Sequence, residues 1–116
     1  MGIEKYLEEP VAVDINDSVA KVVSKMISES KREVIVEEEG KYTGMLYARS
    51  IAKRNIFNPE KTKILHYIRK INPLLPGMDI DEVLNYILIN DLRAVPVKAY
   101  AVSYTHLRAH ETRHDL

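Results

Sequence analysis

The chain has 116 residues, 46% hydrophobic and 29% charged, with Lys+Arg 17 against Asp+Glu 17 and no Cys. This length suits one compact domain or two small repeats sharing a core, and is too short for two independent domains. The net charge of +0 argues against a nucleic-acid-binding surface, and the missing Cys excludes disulfides, Cys-ligated zinc and thiol catalysis.

In chain order, residues 1–9 read as a short amphipathic lead-in helix using Ile3, Tyr6 and Leu7. They have no basic flank followed by an apolar run, so no signal peptide is expected. No segment reaches the ~18 apolar residues that cross a bilayer, and a cytoplasmic protein is expected. Val11-Ala12-Val13 is a short β-prone run. Val19, Val22, Val23, Met26 and Ile27 then form one helical stripe, started by Asn16, Asp17 and Ser18. Glu33-Val34-Ile35-Val36 predicts a strand, Glu37 to Lys41 a polar turn, and Tyr42 to Tyr47 the returning strand. Ala48 to Arg54 predicts a second helix, ended near Asn58-Pro59. Residues 59–72, with Ile64, Leu65, Ile68 and Ile71, predict a connecting helix stopped by Asn72-Pro73.

The pattern then starts again. Leu74-Leu75 is a second short run. Asp79 and Glu82 begin a helix with the stripe Ile80, Val83, Leu84, Ile87 and Leu88. Ala94-Val95-Pro96-Val97 predicts a strand, and Pro96, which has no ladder donor, suggests an edge position or a strand end. Residues 12–37 set against 73–98, an offset of 61, bring apolar onto apolar at Val13/Leu74, Val19/Ile80, Val22/Val83, Val23/Leu84, Met26/Ile87, Ile27/Leu88, Val34/Val95 and Val36/Val97. The expected class is α+β: tandem β-α-β-β-α repeats at 10–58 and 73–100, the second incomplete, joined by 59–72.

Residues 101–116 stand apart. Three of the four His (His106, His110, His114) fall here at spacings of four, which on a helix would form a metal-binding stripe. A second reading accounts for more of the residues. Val102 to Thr112 resembles a translated transposon adapter from sequencing libraries. Ala101 meets the codon constraint before that adapter, and Asp115-Leu116 meets the one after it. The stretch is therefore set aside from functional reasoning, as an artefactual tail. Without it, residues 1–100 carry 15 basic and 15 acidic side chains, and the charge balance holds.

Three features together resemble the cystathionine β-synthase (CBS) domain pair. They are Asp81 to Leu84 running on to Ala94-Val95-Pro96-Val97, the strand, acidic turn and Gly-apolar return strand of Val34 to Leu46, and the paired spacing. The resemblance covers residues 10–98. It implies two modules packed around a pseudo-two-fold axis, with an adenine nucleotide (AMP, ADP or ATP) or S-adenosylmethionine bound at their interface. It also implies a regulatory role toward a fused or partner protein, and a homodimer. No cofactor is required, and no membrane or direct nucleic-acid contact is expected. The ligand contacts would fall at Val13, Asp14, Ile15, Val34, Ile35, Gly44, Tyr47, Arg49, Ser50, Val95 and Pro96.

The family's return strand commonly runs Gly, apolar, any, Ser/Thr, two residues, Asp, its hydroxyl suiting a phosphate and its carboxylate the ribose. Here Gly44 is kept, Tyr47 stands at the hydroxyl position and Ser50 at the Asp position. Tyr47 can stack on an adenine or fill its space. Arg49, Lys53 and Arg54 can hold phosphates or form a solvated helix face. Glu37-Glu38-Glu39 reads as a soluble turn rather than a cation site, and His66 as a structural or surface residue. No Gly-rich phosphate loop, no nucleophile beside a base and no paired acids are present, so no enzyme is expected. The alternatives are a ligand-free interaction module and the sensor part of a DNA-binding regulator. For the tail, genomic DNA is expected to diverge from this sequence after Tyr100; a gene that encodes His106 in this frame contradicts that reading.

Overall fold

A computed structural model describes residues 7–75, 77–92, 94–100 and 103–108. The chain divides into two units, Val11–Lys70 and Met1–Pro10 with Ile71–Leu116.

The first unit is a three-stranded sheet with helices on one face. Strands β2 (Ala12–Asp14) and β3 (Glu33–Glu38) pair in parallel, and β4 (Lys41–Tyr47) returns antiparallel to β3. Helix α1 (Val19–Ser28) makes the crossover that a parallel pair requires. Its start is chemical: Ser18 sits in extended backbone and its hydroxyl accepts the Lys21 N–H at 3.1 Å, a cap worth about 1 kcal/mol. The Glu39-Gly40 turn between β3 and β4 has positive φ at both residues (52 and 77), as primed hairpin turns need. Helix α2 (Ala48–Ala52) follows β4 without a loop. Val11, Val13, Val19, Val22, Met26, Val34, Val36, Leu46 and Ile64 form the core between helices and sheet.

The second unit repeats this plan. Helix α3 (Ile80–Asn90) is capped by Asp79, and β5 (Ala94–Tyr100) follows it. The offset of 61 now appears in the backbone. Val13 pairs in parallel with Val36, and Leu74 in parallel with Val97. Ser30 and Asp91 both have positive φ after their helices (54 and 52). Lys31 N–H donates to Met26 O at 2.8 Å, and Leu92 N–H to Ile87 O at 3.0 Å. The same bonds close both helices at equivalent residues, so the two units share one local architecture.

Five expectations need correction. The connector is not a helix. Ile64–Tyr67 is a single 3-10 turn and Ile68 is extended (φ -75, ψ 137), after which Arg69 and Met45 exchange N–H and C=O bonds at 2.8 and 2.9 Å. A helix would hold Ile64 and Ile71 on one face, yet Ile64 fills the first unit's core and Ile71 lies in the second unit. Thr62 O accepts the Val19 N–H at 2.7 Å, which ties the connector to the first unit.

The lead-in helix is not seen at Leu7–Glu8, which is strand β1; residues 1–6 lie outside the described residues. The missing return strand of the second unit is occupied. Strand β6 (Ser103–Arg108) pairs antiparallel with β5 and with β1. Val95 pairs in register with Leu107 as Val34 pairs with Leu46. An open edge of β5 accepts any β-prone stretch, so this register requires no common origin with β4. The His stripe is therefore not helical at His106, while His110 and His114 lie outside the described residues. Finally, Ile27 and Leu88, counted in the apolar stripes, are 73% and 60% exposed.

Gly44 shows why the connector can add to the sheet. A Cβ on it would lie 2.5 Å from Ile68 Cγ2 and 2.7 Å from the Arg69 carbonyl, a clash with backbone. Gly44→Ala is expected to lose about 1–3 kcal/mol in urea unfolding. Gly77→Ala, where nothing lies within 4 Å, should stay within about 0.5 kcal/mol.

Candidate functional site

The register divides the first unit's expected site residues between two ends of one sheet. Asp14 pairs with Glu37, whereas Tyr47 pairs with Glu33. Four residues of β3 separate these ends, about 13 Å at the usual rise. Asp14 and Ile15 therefore lie at one end, and Tyr47, Arg49 and Ser50 at the other.

The two ends differ in their charged residues: carboxylates gather at the Asp14 end, whereas Lys31, Arg32 and Arg49 stand at the Tyr47 end together with the buried Glu33. Beside Asp14 stand Asp17 and the hairpin acids Glu37, Glu38 and Glu39. The Asp14-to-Asp17 turn is tied internally: Asn16 N–H donates to Asp14 Oδ1 at 2.8 Å, and Asp14 N–H to Asp17 Oδ2 at 3.1 Å. Lys21 Nζ also reaches Asp17 at 3.1 Å. At the other end Lys31 and Arg32 precede β3, and Arg49 and Ser50 follow β4 on α2. Ala48 N–H donates to Arg32 O at 2.8 Å, which fixes α2 against the entry of β3.

Burial sorts the residues further. Arg49 and Ser50 are half-buried. Tyr47 is 2% exposed, so its ring is not open to solvent. Val13 and Val34 are core residues facing the helices. Ile35 is buried opposite Met45 on the alternate side of the strand, and Gly44 is buried against Arg69. Val95 and Pro96 are buried on β5 of the second unit. The structure thus brings Tyr47, Arg49 and Ser50 together and separates them from Asp14 and Ile15.

Residue order alone did not reveal one feature. A groove of about 530 Å³ opens between α1 and α2, lined by Val23, Met26, Ile27, Lys31, Arg32 and Ile51 among others. Its signal was Ile27, at the margin of the stripe and followed at once by Ser30-Lys31-Arg32. Among the described residues no group of three or more His, Asp or Glu is placed to hold a metal ion. His66 is exposed, its ring edge-on to Tyr67 with centroids 6.4 Å apart. Among the described residues no helix is long and apolar enough to cross a membrane.

The CBS domain family model matches residues 4–55. A comparison with curated protein sequences finds no match. Among solved structures, a conserved CBS domain protein of unknown function from Thermoplasma acidophilum superposes with TM-score 0.88 at 24% identity, covering 100% of this chain and 69% of its own. A CBS domain-containing protein from Thermotoga maritima gives 0.82 at 14%, covering 100% and 94%. The CBS domain of a bacterial CNNM/CorC family Mg2+ transporter, solved in complex with ATP, gives 0.85 at 11%, covering 99% and 86%. At these identities the likeness is one of fold. The family match thus covers the first repeat, and the solved CBS-domain structures share the fold of the chain.

Proposed function

We propose that this chain is a regulatory module that senses an adenine nucleotide or an S-adenosylmethionine-like ligand and controls a fused or partner protein. Its residues supply no catalysis; their work is recognition. The observation that carries the reading is the end of the first sheet where β4 passes straight into α2 and places Arg49 and Ser50, both half-buried, on the first turn of that helix. A guanidinium and a hydroxyl there suit phosphate and ribose oxygens. The ATP-bound CBS domain of the Mg2+ transporter supports the ligand class. Regulation would follow by population shift: a ligand that contacts one arrangement of the module better than another favours that arrangement.

A second reading, an interaction module that works without a ligand, draws on Tyr47. At 2% exposure it fills space at the position where the family commonly has a small hydroxyl residue.

Calorimetry with AMP, ADP, ATP and S-adenosylmethionine separates the two. At least one titration is expected to bind, and Arg49→Ala should weaken that binding about tenfold or more, as loss of a charged hydrogen bond does. Uniformly flat titrations favour the interaction module. Ser50→Asp places a carboxylate for the ribose hydroxyls, and is expected to raise affinity. If Ser50→Asp leaves affinity unchanged while ligand still binds, the site lies elsewhere.

A further inference from the structure

Strand β2 is an edge of the first sheet, and its backbone groups alternate between two directions. Ile35 N–H donates to Val11 O at 2.9 Å and Ile15 N–H to Glu37 O at 2.8 Å, so Val11, Val13 and Ile15 bond inward to β3. Ala12 and Asp14 therefore turn their N–H and C=O groups outward, where an edge strand offers them to any extended chain. Most of these groups are already taken. Lys25 on α1, thirteen residues on from Ala12, donates from Nζ to Ala12 O at 3.1 Å. Asp17 closes Asp14 twice: its Oδ2 accepts the Asp14 N–H at 3.1 Å, and its own N–H donates to Asp14 O at 2.9 Å. Lys21 Nζ on Asp17 Oδ1, also at 3.1 Å, holds that carboxylate in place.

The second repeat meets the same problem with other chemistry. Leu74 N–H donates inward to Pro96 O at 2.9 Å, so residues 73 and 75 are the outward ones. Pro73 stands at the Ala12 position and has no N–H to offer. Met78 N–H donates to Leu75 O at 3.1 Å, as Asp17 N–H does to Asp14 O. Tyr86 and Met78 stand where the first unit has Lys25 and Asp17, and neither side chain can repeat the ammonium or carboxylate bond. We infer that Lys25 and Asp17 are a seal on the first sheet, which keeps β2 shut against strand addition by a second polypeptide. A backbone group already bonded within the unit gains little from a new strand, and an added strand would cover the exposed Lys25 ammonium. The seal lies within the first unit and uses no adenosyl ligand, so it stands or falls apart from the function proposed above.

Opening the seal in the 116-residue chain tests it. Lys25→Met keeps the aliphatic stem and frees Ala12 O, and Asp17→Ala frees the Asp14 N–H. K25M/D17A is expected to form β-rich assemblies, seen as a several-fold rise in thioflavin T fluorescence over the unmodified chain and as fast-sedimenting material. K53M/E60A removes the same charges from exposed residues outside β2, α1 and the Asp14-to-Asp17 turn, and should stay at the level of the unmodified chain. Amide exchange separates strand addition from unfolding. In the assemblies the Ala12 and Asp14 amides should slow, while Val34 and Val36, paired to β4, stay protected. If the double variant fails to fold by circular dichroism, K25M alone decides, with a smaller rise expected. No rise over the unmodified chain in a folded variant overturns the inference, as does an equal rise in K53M/E60A. Assemblies in which Val34 and Val36 exchange freely also overturn it, because unfolding then drives them.

Discussion

In the first unit, β3 is hydrogen-bonded on both sides, in parallel to β2 and antiparallel to β4. A parallel neighbour requires a crossover, and α1 is that crossover. An antiparallel neighbour requires a tight turn, and Glu39-Gly40 supplies it. Fixing β3 therefore fixes the helix face, the turn and the end of the sheet where α2 begins. The side chains agree: Val34, Ile35 and Val36 are all at or below 1% exposure, as expected of a central strand. In the second unit β5 ends the sheet order β1-β6-β5, with a single parallel bridge from Leu74 to Val97 on its other side, and Val95 and Val97 are at 0%.

This constraint also sets the chemistry. Because β4 runs antiparallel to β3, its last residue, Tyr47, returns to the start of β3. Arg49 and Ser50 then stand near Lys31 and Arg32. The acids of the hairpin and of the Asp14-to-Asp17 turn are left at the opposite end. A balanced net charge thus conceals a sheet whose carboxylates gather at one end while Lys31, Arg32 and Arg49 stand with Glu33 at the other, and composition alone cannot reveal such an arrangement.

Much of the fold was legible in the residues. The stripes of α1 and α3, their polar starts at Ser18 and Asp79, and the hairpin around Gly40 each agree with local physics, and local agreement is what makes a fold readable. The connector was misread for an equally physical reason. Ile64, Leu65, Ile68 and Ile71 keep helical spacing, but a backbone ladder to Met45 and a buried Ile64 outweigh the propensity of a short helix. The stripes were also read too wide, since Ile27 and Leu88 sit beyond the strip that each sheet covers. Of the expected site residues, Tyr47, Arg49 and Ser50 lie along one strand-to-helix passage, as their spacing implies. Their separation from Asp14 depends on strand direction and register, which a linear motif does not encode.

The central claim is that one β-α-β architecture occurs twice with a fixed offset of 61 residues. Interstrand nuclear Overhauser effects test it most directly. The account predicts backbone contacts of a parallel pair between Val13 and Val36, and again between Leu74 and Val97. It also predicts slow amide exchange at Leu74, whose N–H donates to Pro96 O at 2.9 Å. Contacts in the first pair with none in the second, together with rapid exchange at Leu74, would contradict it.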